Sequence, residues 1–188
     1  MRQRLAELIS YMDETRSRLF ATVNGINPSI AGVRPRGDVW SAEDNMAHLV
    51  IVEEGVSRLV AKSVEWARAN GVGNETSDES IMSSLDRYAL AEGTFKLQAP
   101  SRVEPPAGKS IEESVASLTA SRERLKEALL SGDGLDLSEV KRPHPVAGEI
   151  NLYQWGLFVA QHEERHRKQI EKTLDEVTEL AAESLPIV

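Results

Sequence analysis

The sequence contains no cysteine, and this absence excludes several kinds of chemistry at once. Without thiols the chain can form no disulfide framework, offers no cysteine nucleophile and builds no sulfur-ligated metal site. Any transition metal held by its side chains must therefore be bound through nitrogen or oxygen. Histidine is the first ligand to consider under that restriction.

Long apolar runs and an excess of basic residues are also missing. No segment approaches the roughly 20 consecutive apolar residues of a membrane span, and the opening Met1 to Leu5 enters an amphipathic pattern instead of a secretion signal. We therefore expect a cytoplasmic protein that does not associate with membranes. The 22 Lys and Arg residues are outnumbered by 30 Asp and Glu, and the resulting net charge of −8 disfavours nucleic acid as a partner.

What the sequence does contain is a helical pattern that occurs four times. The 188 residues, 40% of them hydrophobic, suit a single domain spanning 1–188 with a sizeable core. Apolar residues recur at spacings of three and four in segments 2–23, 41–70, 110–131 and 151–177, which predicts four long helices. No strand-like alternation is evident. The predicted fold class is therefore all-α, a four-helix bundle.

Three of these helices have recognisable starts. Ser41 can cap the second helix, where the acidic residues that follow suit the positive end of the helix dipole. Ser110 and Glu113 have the reciprocal spacing of a capping box before the third helix. Asn151 and Gln154 have the same spacing before the fourth. These signals place the helix starts more firmly than periodicity alone.

The two long connections are less readable. Between the second and third helices, residues 71–109 contain prolines that exclude one continuous helix, although a short helix around Asp78–Ala91 is predicted. This connection could be a functional lid or a simple surface insertion. Residues 133–150 are predicted to form a loop, in which two prolines flank His144. We expect His144 to fix a turn there and not to bind metal.

Three histidines carry the main functional signal. His162 and His166 lie one helical turn apart on the apolar stripe of the fourth helix, so their imidazoles are neighbours. Burying an imidazole without a partner is costly. His48 borders the inner stripe of the second helix and is the best candidate for a third ligand. We predict that these three nitrogens bind one divalent metal and leave a coordination position open for water or substrate.

Other interpretations of the same residues remain open. The letters of 162–166 match the HExxH pattern of zinc proteases, but no downstream helper or sheet edge accompanies them, so this interpretation is not favoured. The bundle could instead bind a metal or ligand without catalysis, or serve as a dimer module whose histidines hold no ion. Catalytic residues are not identified. Glu53, Glu54 and Glu163 are candidates for orienting the imidazoles or acting as a base, although such charges usually form a solvated face.

Aromatic and basic residues near the histidines have two possible roles each. Trp40, Trp155 and Phe158 are predicted to belong to the core in preference to a cofactor site. Arg165 is either a surface partner of an acidic residue or an anchor for an anionic substrate, and the sequence does not decide between these roles.

Three stretches, 40–49, 144–148 and 155–170, together resemble the landmarks of the DinB-like superfamily. The most specific features are Trp40-Ser41 ahead of the first histidine and the late HxxRHxxQI pattern that starts at His162. The resemblance extends from the first to the fourth helix. It implies a four-helix bundle with up-down-down-up connectivity, in which the long connection 71–109 of this chain joins the second and third helices.

The resemblance also implies a chemistry. In this superfamily a divalent metal, often nickel or zinc, is bound by residues that match His48, His162 and His166, and homodimers are frequent. Its characterised members include S-transferases and isomerases that use low-molecular-weight thiols, and others are labelled metal-dependent hydrolases. We therefore expect a metal-dependent transferase or hydrolase acting on a small molecule, with no organic cofactor. A non-catalytic, stress-related binding protein is the alternative.

Overall fold

A computed structural model of the protein describes residues 1–89 and 103–183. Four long helices and one short helix account for most of these residues, and a small antiparallel hairpin precedes the last helix. The elements are α1 (Gln3–Val23), α2 (Pro28–Ala31), α3 (Ala42–Ala69), α4 (Ile111–Ser131), β1 (Lys141–His144), β2 (Gly148–Asn151) and α5 (Leu152–Glu183). None of the helices in these ranges combines the length and apolarity needed to cross a bilayer.

The helices α1 and α5 run in the same direction. The Thr15 hydroxyl donates a hydrogen bond to Glu163 over 2.9 Å. About two turns further along both helices, the hydroxyl of Thr22 lies 3.4 Å from the carboxylate of Glu171. Contacts that advance together along two helices require parallel axes.

The helices α3 and α4 are likewise parallel to each other and antiparallel to the first pair. Glu53 pairs with Arg122 near the middle of both helices, and Arg68 reaches the carbonyl of Ser131 where both end. Trp40, just ahead of α3, instead lies against Thr173 of α5, and Asn45, one turn into α3, lies against the earlier residue His166, so α3 runs against the direction of α5. The predicted up-down-down-up four-helix bundle is thus confirmed. Because α3 and α4 begin at the same end, the last turn of α3 and the first turn of α4 lie at opposite ends of the bundle.

The predicted helix starts are also confirmed. Ser41 Oγ accepts a hydrogen bond from the Asp44 amide over 3.0 Å, and the Asp44 carboxylate accepts from the Ser41 amide over 2.9 Å. Ser110 forms the same capping box ahead of α4. Asn151 and Gln154 exchange reciprocal bonds of 2.9 and 3.0 Å ahead of α5. These side chains satisfy backbone amides that have no partner inside the helix.

The short helix predicted over 78–91 is wrong for the part of that range the structure describes. Only the 3-10 turn Asp86–Tyr88 forms there, and residues 90 and 91 lie outside the described part of the chain. The physical reason is competition from α1, because Arg4 draws the segment onto that helix. Its guanidinium donates hydrogen bonds to the carbonyl of Glu79 and to the hydroxyl of Ser77. Hydrogen bonds from the Arg4 side chain thus take the place of the backbone hydrogen bonds of a regular helix.

The loop predicted over 133–150 is wrong where β1 and β2 pair. Four residues per strand are too few to show an alternation of apolar and polar residues. Pro143 lies within β1, where it is tolerated because both strands of a two-stranded hairpin are edge strands. The turn is held by His144, whose Nδ1 accepts the amides of Val146 over 3.2 Å and Ala147 over 3.1 Å. His144 therefore fixes a turn, as predicted. Gly148 closes the hairpin with a φ of +69°, which favours glycine.

A charged layer crosses the middle of the bundle and divides its apolar core into two clusters. Each long helix contributes one buried residue to it, at the point where that helix passes from one apolar cluster to the other. The layer consists of Arg16, Glu53, Arg122 and Glu163. Its four ion pairs have N to O distances between 2.5 and 3.0 Å. Two cations and two anions thus compensate one another inside the core.

Candidate metal centre

Three imidazoles from two helices converge inside the bundle. His162 and His166 lie one turn apart on α5, and the antiparallel α3 brings His48 to the same place. The Nε2 of His162 lies 3.3 Å from that of His48 and 3.1 Å from that of His166. Taking one ligand atom from each residue, all three lie within 4.8 Å of one another. The structure therefore brings together the three residues proposed as ligands from the sequence.

The outward nitrogens of two of these rings are held by oxygen acceptors. Nδ1 of His48 lies 2.7 Å from the carbonyl oxygen of Val103, and Nδ1 of His166 lies 2.7 Å from Oδ1 of Asn45. The Asn45 amide is oriented in turn, because its Nδ2 donates to the carbonyl of Ser41 over 2.8 Å. A carbonyl carries no proton, so each Nδ1 must be the donor. The Nε2 atoms of His48 and His166 therefore present lone pairs to the centre.

This arrangement fits a metal ion. Two unprotonated nitrogens at such distances repel each other, and a proton on Nε2 of His162 could bridge to only one of its two neighbours. A cation among the three would attract every lone pair. Metal to nitrogen bonds of about 2.0–2.1 Å at tetrahedral angles place ligand nitrogens roughly 3.3 Å apart, close to the separations seen here.

Burial keeps the imidazoles in the form that a metal requires. His48 and His166 are buried and His162 is half-buried. Burial is the main cause that lowers the pKa of all three, and the nearby charge of Arg165 lowers the pKa of each further. For His162 and His166 the pKa falls well below its ordinary value. At neutral pH the imidazoles are therefore uncharged, and a metal ion does not have to displace a proton from an imidazolium in order to bind.

Acid is expected to destabilise the metal-free protein. Burial lowers the pKa of His144 from its ordinary 6.5 to about 4, and the other three imidazoles shift in the same direction. The unfolded chain therefore binds protons first as pH falls through 6.5, so stability is lost between that pH and the folded pKa. Each histidine contributes at most about 1.4 kcal/mol per pH unit. Urea unfolding in EDTA between pH 7 and 5 measures the slope, which should be shallower in His144→Gln. A flat profile would contradict the shifts.

Aromatic rings flank the three imidazoles. The ring centroid of Trp40 lies 4.9 Å from that of His48, and Phe158 stacks on His162 at 5.2 Å. As predicted, Phe158 and Trp155 are buried in the core. Trp40 is only half-buried and lies directly against the histidines, so it lines the site and is not part of either apolar cluster. The imidazole cluster thus has apolar walls on two sides.

The carboxylates proposed as orienting groups or bases occupy other places. All four oxygens of Glu53 and Glu163 accept hydrogen bonds from the two arginines of the charged layer or from Thr15. Glu54 lies at the surface, 3.8 Å from Arg58. These positions favour a packing role for the first two. A catalytic role for any of the three stays a prediction.

The groups that orient the imidazoles were not identified from the sequence. Asn45 precedes His48 by three residues on the same helix, and this spacing was the one available signal. The partner of His48 is the backbone of Val103. A carbonyl carries no residue-specific signal, so it could not be found from residue types. Arg165, left open between two roles, is half-buried, and its positive charge lowers the pKa of all three histidines.

Comparisons with known proteins identify the family and a structure of similar fold. A family model described as the DinB superfamily matches residues 11–170. The uncharacterized protein YuaE of Bacillus subtilis (strain 168) is 24% identical over 173 residues, which cover 90% of this chain and 98% of that protein. The solved structure of TT2238, described as a four-helix bundle protein, superposes with a TM-score of 0.60 at 20% identity and covers 89% of this chain and 98% of its own. At that identity the structural likeness shows the fold alone.

Proposed function

This chain belongs to the DinB superfamily, and from that premise we propose that His48, His162 and His166 hold one divalent transition-metal ion in an open site. The observation that carries the proposal is the convergence of three Nε2 atoms while the outward Nδ1 atoms of His48 and His166 are held by Asn45 and Val103. Such partners fix ligand imidazoles in known metal sites. Imidazole donors suit several divalent metals, and zinc and nickel are the ions we favour because the family resemblance implies them.

We propose further that the protein is an enzyme of the transferase or hydrolase type with a small-molecule substrate. When bound, an ion with open coordination positions lowers the pKa of a water or a thiol that it receives. In the transferase version, the thiol comes from a low-molecular-weight cosubstrate, because the chain has no cysteine of its own. The chain's part is to orient two imidazoles through Asn45 and Val103 and to exclude water with the rings of Trp40 and Phe158. A cytoplasmic homodimer stays a prediction.

Metal content is the first test. Protein expressed without a histidine tag and purified without a nickel column should contain about one equivalent of zinc or nickel per chain by elemental analysis. The same preparation, assayed with thiols plus electrophiles and with esters, should lose turnover in EDTA and regain it when the ion is restored. A protein that holds no metal after dialysis against zinc and nickel would overturn the proposal.

A non-catalytic role is the alternative, favoured by one feature of the geometry. The ligands come from α3 and α5, so a bound ion would join two antiparallel helices and stabilise the bundle. That role predicts a melting temperature that rises with metal, together with no turnover of thiols or esters. Stoichiometric metal combined with turnover would exclude it.

Removing the oxygen acceptor of Asn45 is expected to weaken metal binding. Asn45→Ala leaves Nδ1 of His166 without its partner, and comparable losses around metal sites cost about 10–100-fold in affinity. Competition with a zinc-chelating dye measures the effect. Asn45→Asp is the matched control, because it keeps an oxygen at the same place and should bind zinc at least as tightly as the parent. Equal affinities for the alanine and aspartate variants would contradict the role.

A further inference from the structure

The indole of Trp155 is buried together with its polar N–H group. Within residues 1–89 and 103–183, no acceptor forms a hydrogen bond with this Nε1. Buried N–H groups almost always have an acceptor, because a donor that is removed from water without one lowers stability. The ring of Trp155 is accounted for by core packing, whereas its N–H group is not.

His144 offers a second N–H group next to this indole. Its Nδ1 accepts the amides of Val146 and Ala147, so that nitrogen carries no proton. Burial lowers the pKa of His144 to about 4, which leaves the imidazole uncharged at neutral pH. The one proton of a neutral imidazole must then lie on Nε2. Among the residues that the structure describes, only the two turn amides form hydrogen bonds with this ring, and both bind Nδ1. The hairpin turn thus fixes His144 as a neutral hydrogen-bond donor.

Ring contacts place both donors beside the histidine cluster. The ring centroids of His144 and Trp155 are 5.1 Å apart. Each of these rings also contacts Phe158, at 4.4 Å and 5.7 Å respectively. Phe158 in turn stacks on His162 at 5.2 Å. Trp155, Phe158 and His162 follow one another on α5 at steps of three and four residues, which places them on one face. The two N–H groups are therefore separated from a proposed metal ligand by a single phenyl ring.

We propose that the Nε1–H of Trp155 and the Nε2–H of His144 form a subsite that binds an uncharged carbonyl oxygen of the substrate. This inference rests on the proposed function, since the substrate is taken to bind the ion with one atom and to reach the rings next to Phe158 with its oxygen. A carbonyl oxygen has two lone pairs and can accept from both donors. An acid group suits the pair less well, because neither ring carries a positive charge to balance a buried anion. The substrate class is therefore a small ketone, ester or amide.

Two thiols of the same shape test the proposal. In 4-mercapto-2-butanone a carbonyl oxygen takes the place of one methyl group of 3-methyl-1-butanethiol, and the thiol ends of the two molecules are alike. Protein loaded with Co²⁺ reports thiolate binding by its absorption, so both dissociation constants can be measured without an activity assay. We expect the parent to bind the ketone at least about tenfold more tightly, which corresponds to about 1.4 kcal/mol. Trp155→Phe keeps an aromatic ring without the N–H and should lose most of this preference while its Co²⁺ content stays the same.

Variants of His144 separate the roles of its two nitrogens. His144→Asn keeps an oxygen that can accept the turn amides but removes the distant N–H, so it should also lower the preference. His144→Gln has a longer side chain with an amide N–H and should retain part of it. Trp66→Phe is the matched control for Trp155→Phe, because it removes an indole that is 47% exposed and contacts Arg142, and it should leave the preference intact.

Nuclear magnetic resonance gives a readout on the parent itself, which keeps the test decisive if a variant fails to fold. The sequence contains three tryptophans, so the indole N–H signals can be assigned by replacing them one at a time. In Zn²⁺-loaded protein the ketone should move the proton signal of the Trp155 Nε1–H downfield, as expected for a new hydrogen bond. The thiol without a carbonyl should leave that signal closer to its original position.

The outcomes distinguish this proposal from the one on which it rests. Equal dissociation constants for the two thiols in Co²⁺-loaded parent would overturn the carbonyl subsite and leave the metal site standing. A preference that survives unchanged in both Trp155→Phe and His144→Asn would have the same consequence. Failure of the parent to hold Co²⁺ would overturn the metal site and the subsite together.

Discussion

Replacing His162 by alanine is expected to lower the affinity for zinc by more than about 100-fold, or roughly 2.8 kcal/mol. Its Nε2 takes part in both of the short separations in the cluster, 3.3 Å to His48 and 3.1 Å to His166. Its loss leaves two ligands on separate helices, and two nitrogens hold a divalent ion far less well than three. Competition with a chelating dye measures the affinity, and elemental analysis measures the retained metal.

The fourth histidine of the chain provides the control for this variant. His144 holds the hairpin turn through Nδ1 and contributes no nitrogen to the cluster. His144→Gln removes one imidazole, as His162→Ala does, but it should bind zinc with the same affinity as the parent. Zinc should raise the melting temperature of this control and of the parent but not that of His162→Ala. If His162→Ala bound zinc as tightly as the parent, the ligand assignment would have to be abandoned.

The four long helices could be predicted from the sequence because periodicity and capping residues point to the same places. Ser41 and Ser110 combine a cap with an acidic residue three positions later, and both signals are local. The hairpin before α5 and the turn near Asp86 could not be predicted in this way. The turn near Asp86 lies in a segment that depends on a partner far along the chain, Arg4 with Glu79, and local patterns do not record such contacts. The strands of the hairpin are too short to show an alternation.

The histidines could be proposed as a site for the same kind of reason, whereas most of their surroundings could not. A four-residue step on an apolar stripe is a local signal, and it identified His162 and His166. The partners that orient the rings are an amide and the carbonyl of Val103, which comes from the connection between α3 and α4. In the sequence, nothing distinguishes Trp40 from an ordinary core residue, and its contacts with His48 and His166 are evident only in the folded structure.

The charged layer gives buried acids near a candidate metal site a structural role. Glu163 directly follows a proposed ligand, which suggests an orienting group or a base. Its position on the helix instead turns it towards Arg16 and Arg122, at 2.5 and 3.0 Å. Burial lowers the pKa of Arg122, but the two carboxylates more than offset this and raise it overall. One residue from each long helix must meet in the layer, so the arrangement favours a single register of the bundle.

Arg122→Met is expected to lower the free energy of unfolding by about 3–5 kcal/mol. The Arg122 guanidinium is buried and pairs with both Glu53 and Glu163, so its loss leaves two buried carboxylates facing Arg16 alone. At roughly 2–4 °C per kcal/mol for a chain of this size, the melting temperature should fall by about 6–20 °C. Arg124 lies two residues further along α4 and pairs with Glu54 at the surface, so Arg124→Met should lower the free energy of unfolding by less than about 1 kcal/mol.

The double variant Glu53→Met with Arg122→Met decides whether uncompensated charge is the cause. It removes one anion and one cation together and leaves the pair of Arg16 and Glu163, whose Nε and Oε1 atoms are 2.5 Å apart. Because charge balance is restored, the double variant should recover a large part of the stability lost in Arg122→Met, and urea unfolding should show strong non-additivity. Losses that simply add would mean that packing around the arginine stem, and not charge compensation, holds the middle of the bundle together.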